Sequence, residues 1–81
     1  MNINDFIILL EEAFEKTENS ILLKDKFKFY EEWDSIALLT LSAILEDKFS
    51  ISINKIELEH IDTIEDLYFF TINKSNGNTK I

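Results

Sequence analysis

Apolar residues recur at helical spacing in three stretches of the chain. In residues 3–16 they form one stripe, and most of the acidic residues lie off it. Residues 35–49 are apolar nearly all round, which is typical of a helix that is central or partly reserved for a partner. The third stretch starts at Asp62 and has an apolar inner face from Ile64 onward. We therefore predict three main helices.

Capping residues predict where these helices begin and end. Asp34 is predicted to cap the second helix, because its carboxylate can accept hydrogen bonds from the free N–H groups of the first turn. Ser50 is predicted to end that helix. Asp62 and Glu65 have the three-residue spacing of a capping box at the start of the last helix. Residues 57–60 are long enough for one short helical turn.

Residues 17–33 show no sustained helical period. Phe27 and Phe29 alternate with Lys26 and Lys28, a pattern that also fits a short strand. A lone strand has nothing to pair with, so we predict a long connecting loop that buried aromatic side chains hold against the core. Loops of this length are uncommon in compact domains and need a structural or functional reason.

The chain length allows one domain. With 81 residues, the core is small and we expect one domain at most. We predict one helical domain over residues 1–73 and a flexible C-terminal tail over the polar residues 74–81. The expected fold class is all-α: an up-down bundle of three main helices and one short helix, with a long first loop.

Composition changes this picture mainly by what it excludes. The chain has 16 acidic and 8 basic residues and a net charge of -8, so nucleic acid and anionic lipid surfaces would repel it. It has no Cys and a single His, which argues against a metal site and against a catalytic serine paired with a base. No apolar run reaches membrane-spanning length and no leader pattern precedes the first helix. We expect a cytoplasmic monomer without membrane insertion.

One serine stands at the head of the second predicted helix. Ser35 follows the predicted cap Asp34 and precedes a nearly unbroken apolar stretch. Asp and Ser are good helix starters, and that role alone accounts for the pair. In the second interpretation, Ser35 is held out because a group is attached to it. The free N–H groups and the positive end of the helix dipole favour a phosphate at such a position.

The chain resembles the acyl carrier proteins, including the related peptidyl carriers. The family's D-S-L motif opens its second helix, and Asp34-Ser35-Ile36 stands at that point here. The sequence L-E-D-K-F then gives the family's acid cluster before a Phe. A further family pattern, I-x-x-x-E-x-x-x-I-x-T-hydrophobic, is matched without a gap by Ile53, Glu57, Ile61, Thr63 and Ile64. The resemblance covers about residues 3–72.

This resemblance implies a four-helix acyl-carrier-like bundle and a carrier function without catalysis. Ser35 would carry 4'-phosphopantetheine, which a phosphopantetheinyl transferase takes from coenzyme A, and Asp34 would help to bind the metal and coenzyme A of that transferase. The arm would hold acyl or aminoacyl groups as thioesters. An acyl-activating ligase, acyltransferase or synthase of fatty-acid, polyketide or nonribosomal-type biosynthesis would load and use them. The chain itself would supply no catalytic residue and no metal ligand.

Four positions depart from the family's usual pattern. Glu32 stands where the family commonly has Gly, and Trp33 precedes the Asp, so the motif reads E-W-D-S-I. That version is similar to small stand-alone carriers of specialised pathways. Ala37 and Thr40 stand where the fatty-acid carrier has acidic residues. Partner recognition is therefore expected to differ from that of the fatty-acid carrier, and Trp33 is expected to pack against the long loop.

The second helix also provides a predicted partner-binding face. The core needs only one of its apolar stripes, so the other stripe is expected to be exposed and to bind partners: Ile36, Leu39, Thr40 and Ala43. Glu46 and Asp47 are either a solvated face or the rim of this docking surface. An alternative function is an acidic helical protein-interaction module of the same fold that carries no prosthetic group.

Overall fold

The structure, a computed structural model, describes the backbone of residues 2–79 and the side chains of residues 2–75. This part of the chain is all-helical and contains no strand. Its four α-helices are α1 (Ile3–Ala13), α2 (Ser35–Phe49), α3 (Lys55–Glu59) and α4 (Ile64–Thr79), and a short 3-10 helix covers Phe27–Phe29. The prediction of three main helices and one short helix in an all-α bundle is confirmed.

Side-chain caps define the starts of α1 and α2. Asn2 Oδ1 accepts a hydrogen bond of 2.9 Å from the backbone N–H of Asp5. Asp34 Oδ1 accepts one of 2.8 Å from the N–H of Ala37. At the other end of α2, Ser50 adopts the left-handed conformation with φ of 56° and ends the helix. The predicted bounds of this second helix are confirmed at both ends.

The cap of α4 lies one residue later than predicted. Thr63 Oγ1 accepts from the N–H of Asp66 at 3.1 Å, and the N–H of Thr63 donates to Asp66 Oδ2 at 3.3 Å. The predicted pair Asp62 and Glu65 is therefore wrong, although it has the same three-residue spacing. The buried side chain of Ile64, the first residue of α4, sets the register and places Thr63 at the cap.

A lysine of α4 holds α3 in place. Asn54 and Glu57 form a capping box at the start of α3, with hydrogen bonds of 2.7 and 3.0 Å. Lys74 Nζ lies 2.7 Å from Glu57 Oε2 and 2.6 Å from the carbonyl oxygen of Ser52. The hydrogen bond from Lys74, and then the one from the Asn54 backbone, hold the pKa of Glu57 below its usual range.

The backbone of residues 74–79, the first part of the predicted C-terminal tail, is helical. α4 continues through Thr79. Lys74 binds Glu57, and the Ser75 hydroxyl donates to the carbonyl oxygen of Phe49 at 3.4 Å. A polar composition is compatible with a helix whenever its polar side chains find partners or solvent, and here two of them find partners in other elements. Lys80 and Ile81 lie outside the described residues.

The core lies where α2 packs against α1 and α4. Along α2 the fully enclosed line is Ala37, Leu41 and Leu45, three residues spaced four apart. Leu38 and Phe49 of the same helix are only partly buried. The other core side chains come from α1, the long loop, the last two helices and the short segments before each of them: Phe6, Leu10, Phe14, Ile21, Phe27, Ile51, Leu58, Ile61, Ile64 and Leu67.

The long loop between α1 and α2 supplies hydrogen-bond partners to helix ends. The carbonyl oxygens of Leu23 and Asp25 accept hydrogen bonds of 3.1 and 3.0 Å from the first two N–H groups of α4. Lys28 Nζ donates to the carbonyl oxygen of Leu58 in α3 at 3.0 Å. The two N–H groups of α4 have no partner within their own helix, while the Leu58 carbonyl oxygen also accepts from the Ile61 N–H at 3.1 Å. The loop therefore completes the bundle, which explains its unusual length.

The two loop phenylalanines have opposite environments. Phe27 has no solvent exposure, whereas 84% of Phe29 is exposed. The segment forms a 3-10 helix in which the N–H of Phe29 donates to the carbonyl oxygen of Lys26 at 2.9 Å. The prediction of a loop held by buried aromatic side chains is confirmed for Phe27, while Phe29 takes no part in it.

Candidate functional site

Ser35 occupies the first helical position of α2, and its side chain is exposed. The cap at this end is Asp34, whose Oδ1 accepts from the Ala37 N–H and whose carbonyl oxygen accepts from the Leu38 N–H at 3.0 Å. Among the described residues, no hydrogen bond involves the Ser35 hydroxyl. The cap is thus complete without Ser35, so helix initiation does not account for a serine at this position.

The head of α2 has the features of an anion-binding helix end. The backbone N–H groups of Ser35 and Ile36 find no acceptor among the described residues, because they belong to the first turn. The positive end of the helix dipole lies at the same place. Asp34 is the nearest acid in the chain, and one of its two carboxylate oxygens is occupied by the cap. A phosphate esterified to Ser35 Oγ can therefore reach free N–H donors without displacing any existing bond.

An exposed apolar stripe follows Ser35 along α2. Ile36 is 73% exposed and Leu39 is 68% exposed, while Ala43 is exposed and Thr40 half-buried. Their spacing of three and four residues places them on one side of the helix. The exposure of Ile36, Leu39 and Ala43 agrees with the expectation from the sequence, Thr40 is less exposed than expected, and the role of the stripe in partner binding stays a prediction. Exposed apolar side chains arranged in one stripe are typical of a contact surface.

The two acids at the far end of this stripe are exposed as well. Glu46 and Asp47 lie three and four residues beyond Ala43, so they continue the same side of the helix. Asp47 Oδ2 lies 3.8 Å from Lys48 Nζ, and both side chains are at least half exposed. A pair of this kind contributes little to stability, because water screens it. Both carboxylates are therefore accessible to a partner.

A cleft that the sequence did not predict lies beside the head of α2. It has a volume of about 320 Å³, and its lining comes from the end of α1, from residue 32 and from the first turns of α2. The apolar part includes Phe14 and Ile36, and the acids Glu15, Glu32 and Asp34 lie among the lining residues. These residues come from separated segments, so no local pattern could reveal the cleft.

A small polar network fixes the segment that leads to Ser35. Lys16 Nζ lies 3.4 Å from Glu32 Oε1 and 4.2 Å from the ring centre of Tyr30. A backbone hydrogen bond, and then Lys16, hold the pKa of Glu32 below its usual range. The Tyr30 hydroxyl donates to Asp25 Oδ2 at 2.6 Å, and burial, with that hydrogen bond, raises the pKa of Tyr30. Tyr30 therefore remains a neutral donor and Glu32 a charged acceptor at neutral pH.

Trp33 packs inside the molecule. Its ring lies 5.8 Å from that of Phe14 and 5.3 Å from that of Phe27, edge to face in both cases. It is partly buried against the core. The prediction that Trp33 packs against the long loop is confirmed. The side chain joins α1, the loop and the residues just before Ser35, so it makes the head of α2 a rigid part of the fold.

Comparison with known proteins identifies no relative of this chain. No family model matches the chain, and neither the search of curated proteins nor the search of solved structures finds a match. Within the described residues, no group of three or more His, Cys, Asp or Glu side chains is placed to hold a metal ion. No helix in the same part of the chain is long and apolar enough to cross a membrane. The molecule is a small all-helical bundle with an exposed serine at the head of a half-exposed helix.

Proposed function

We propose that the protein carries acyl or aminoacyl groups as thioesters on a 4'-phosphopantetheine arm attached to Ser35. The observation that carries the proposal is the exposed Ser35 hydroxyl, free of intrachain bonds, at the N-terminus of α2. The order of three main helices, one short helix and a long first loop is compatible with the acyl-carrier fold. The resemblance of the motifs around Ser35 and after α2 supports the same proposal.

The residues at the head of α2 fit such an arm. Ser35 Oγ is accessible to a modifying enzyme, and the nearby N–H groups are available to the phosphodiester. Asp34 Oδ2 accepts no hydrogen bond from the described residues, so this oxygen is available to the metal and coenzyme A held by the transferase. The cap bond to Ala37 keeps Asp34 in place and presents the serine on a rigid helix end.

In this proposal the arm, the residues of this chain and the partner enzymes have separate roles. When bound, the arm supplies the thiol that forms the thioester. The residues of this chain present the arm at the head of α2 and offer a contact surface along that helix. The partners in this proposal are a phosphopantetheinyl transferase and the acyl-activating ligase, acyltransferase or synthase that loads and uses the cargo. The reactions themselves belong to those enzymes, so the protein is a carrier and no enzyme.

Intact-mass measurement tests the proposal directly. The protein is produced without a transferase and is then incubated with coenzyme A, Mg²⁺ and a broad-specificity phosphopantetheinyl transferase. We expect a gain of roughly 340 Da, localised to Ser35 by fragmentation, as a covalent modification of this kind requires. A protein that stays at its unmodified mass with several such transferases is no carrier. The interaction module without a prosthetic group is then the function that the exposed stripe supports.

The exposed stripe of α2 should be needed for loading. Ile36→Asp places a charge where partners would contact an apolar side chain, and we expect the loading rate to fall about tenfold, equivalent to ~1.4 kcal/mol. Ile36 is 73% exposed, so the free energy of unfolding should change by less than about 1 kcal/mol. Ile8→Asp is the matched control, because Ile8 is an exposed isoleucine of α1. Equal loading rates for the two variants would remove Ile36 from the docking surface.

A further inference from the structure

One segment of the long loop differs in charge from the rest of the chain. Three of the 8 basic residues fall within residues 24–28, although the net charge of the chain is -8. Lys28 is engaged with the Leu58 carbonyl oxygen. Lys24 and Lys26 are exposed, and neither belongs to an ion pair within residues 2–75. The segment therefore presents two free positive charges on an acidic protein.

The same segment exposes large apolar side chains. Phe29 is 84% exposed, the highest value among the large apolar residues that the structure describes, and Leu22 is 62% exposed. Neither side chain belongs to the core cluster. A hydrogen bond from the Phe29 N–H to the Lys26 carbonyl oxygen holds these two residues one turn apart. An aromatic side chain and a free lysine are thus presented together.

Hydrogen bonds hold this segment in a fixed shape. The carboxylate of Asp25 accepts from the Leu22 N–H at 3.0 Å and from the Tyr30 hydroxyl at 2.6 Å. The Asp25 N–H in turn donates to the Leu22 carbonyl oxygen at 3.0 Å. The negative charge of Asp25 is therefore used internally, and it ties both ends of the segment together. A preorganised surface loses little conformational entropy when it binds.

We propose that residues 22–29 are a second docking surface, which binds an acidic amphipathic helix of a partner protein. Phe29 and Leu22 contact the apolar face of that helix, and Lys24 and Lys26 pair with the acids along its edge. This surface uses neither Ser35 nor the stripe of α2, so it does not depend on the carrier proposal. It would hold a partner while the head of α2 stays free.

The charge distribution favours a protein segment over a membrane or a nucleic acid. Near an anionic bilayer, each basic residue contributes only about 1 kcal/mol, and here two free lysines oppose a net charge of -8. A bilayer or a nucleic acid presents negative charge to much of the molecule and is repelled by it. A helix edged with acids places its charge within a few ångströms of Lys24 and Lys26, well inside the screening length of about 10 Å at 0.1 M salt.

A nuclear magnetic resonance titration of the ¹⁵N-labelled protein tests this docking surface. The probe is a synthetic amphipathic helical peptide whose leucine face is edged with glutamates, and a matched peptide carries lysines at the same edge positions. We expect saturable shifts at the amides of residues 22–30 with the glutamate peptide and none there with the lysine peptide. The dissociation constant should rise at least about tenfold in Phe29→Ala and in the double variant Lys24→Glu with Lys26→Glu.

The controls separate this proposal from the carrier function and from other ligands. Ser35→Ala and Ile36→Asp should bind the glutamate peptide like the wild type, whatever their loading behaviour. The proposal is overturned if the amides of residues 22–30 show no saturable shift, or if the lysine peptide shifts them equally. Tighter binding of this segment to phosphatidylglycerol vesicles or to a single-stranded oligonucleotide than to the peptide would also overturn it.

Discussion

Ser35→Ala should abolish the mass gain with coenzyme A and a phosphopantetheinyl transferase. The expected loss is complete, because the variant lacks the only atom of that residue to which the arm could be esterified. Folding should be nearly unchanged. Asp34 still forms the cap, and alanine is a favourable residue for the first turn of α2. We expect the free energy of unfolding to stay within about 0.5 kcal/mol of the wild type.

A second serine provides the matched control for this experiment. Ser52 is exposed and lies outside the helices, and within the described part of the chain only its carbonyl oxygen takes part in a hydrogen bond. Ser52→Ala should therefore gain the same mass as the wild type, at the same rate. If Ser35→Ala still gains the arm, the attachment site is elsewhere and the assignment of Ser35 fails. Circular dichroism of both variants shows whether each is folded before loading is compared.

The helix that carries the candidate site could be predicted from the sequence because its limits are local. Asp34 caps the N–H of a residue three positions later, and Ser50 ends the helix through its own backbone conformation. Short-range signals of this kind are present in the sequence itself. The exposure of Ile36 also followed from local reasoning, since one stripe of α2 was sufficient for the core. Its function remains a prediction.

Features that depend on contacts between distant residues could not be predicted. The capping pair at α4 lies one residue later than predicted. Asp62 with Glu65 and Thr63 with Asp66 have the same spacing, and the burial of Ile64 distinguishes them. The helical continuation beyond residue 73 depends on Lys74 meeting Glu57, which lies 17 positions earlier. The cleft beside the head of α2 likewise combines separated segments. Tertiary contacts determine these three features, and a single sequence does not show which distant residues meet.

The burial of the two loop phenylalanines could not be predicted from the local pattern either. The prediction of a long loop held by buried aromatic side chains did not distinguish Phe27 from Phe29. In a 3-10 helix, however, residues two positions apart point in different directions, because a turn has three residues. Phe27 faces the core and Phe29 faces solvent. The period of a pattern is informative only once the local backbone geometry is known.

Phe27→Ala should strongly destabilise the protein. The side chain has no solvent exposure and packs 5.3 Å from the Trp33 ring, so its removal leaves a cavity between the long loop and the core. Loss of a buried phenylalanine lowers the free energy of unfolding by about 3–5 kcal/mol. A loss of this size is a large share of the stability of a small domain. Urea unfolding followed by the fluorescence of the single Trp measures it.

Phe29→Ala, two positions away in the same 3-10 helix, is the matched control. Its side chain is mostly exposed and lies outside the core, so the expected change in the free energy of unfolding is within about 0.5 kcal/mol. The two variants remove the same atoms from the same short helix, so their difference measures burial alone. Equal destabilisation would mean that Phe29 is also packed, and it would contradict both the fold of this loop and the docking surface built on it. If Phe29→Ala is as stable as the wild type, any loss of peptide binding in that variant is due to the lost contact between the Phe29 side chain and the peptide.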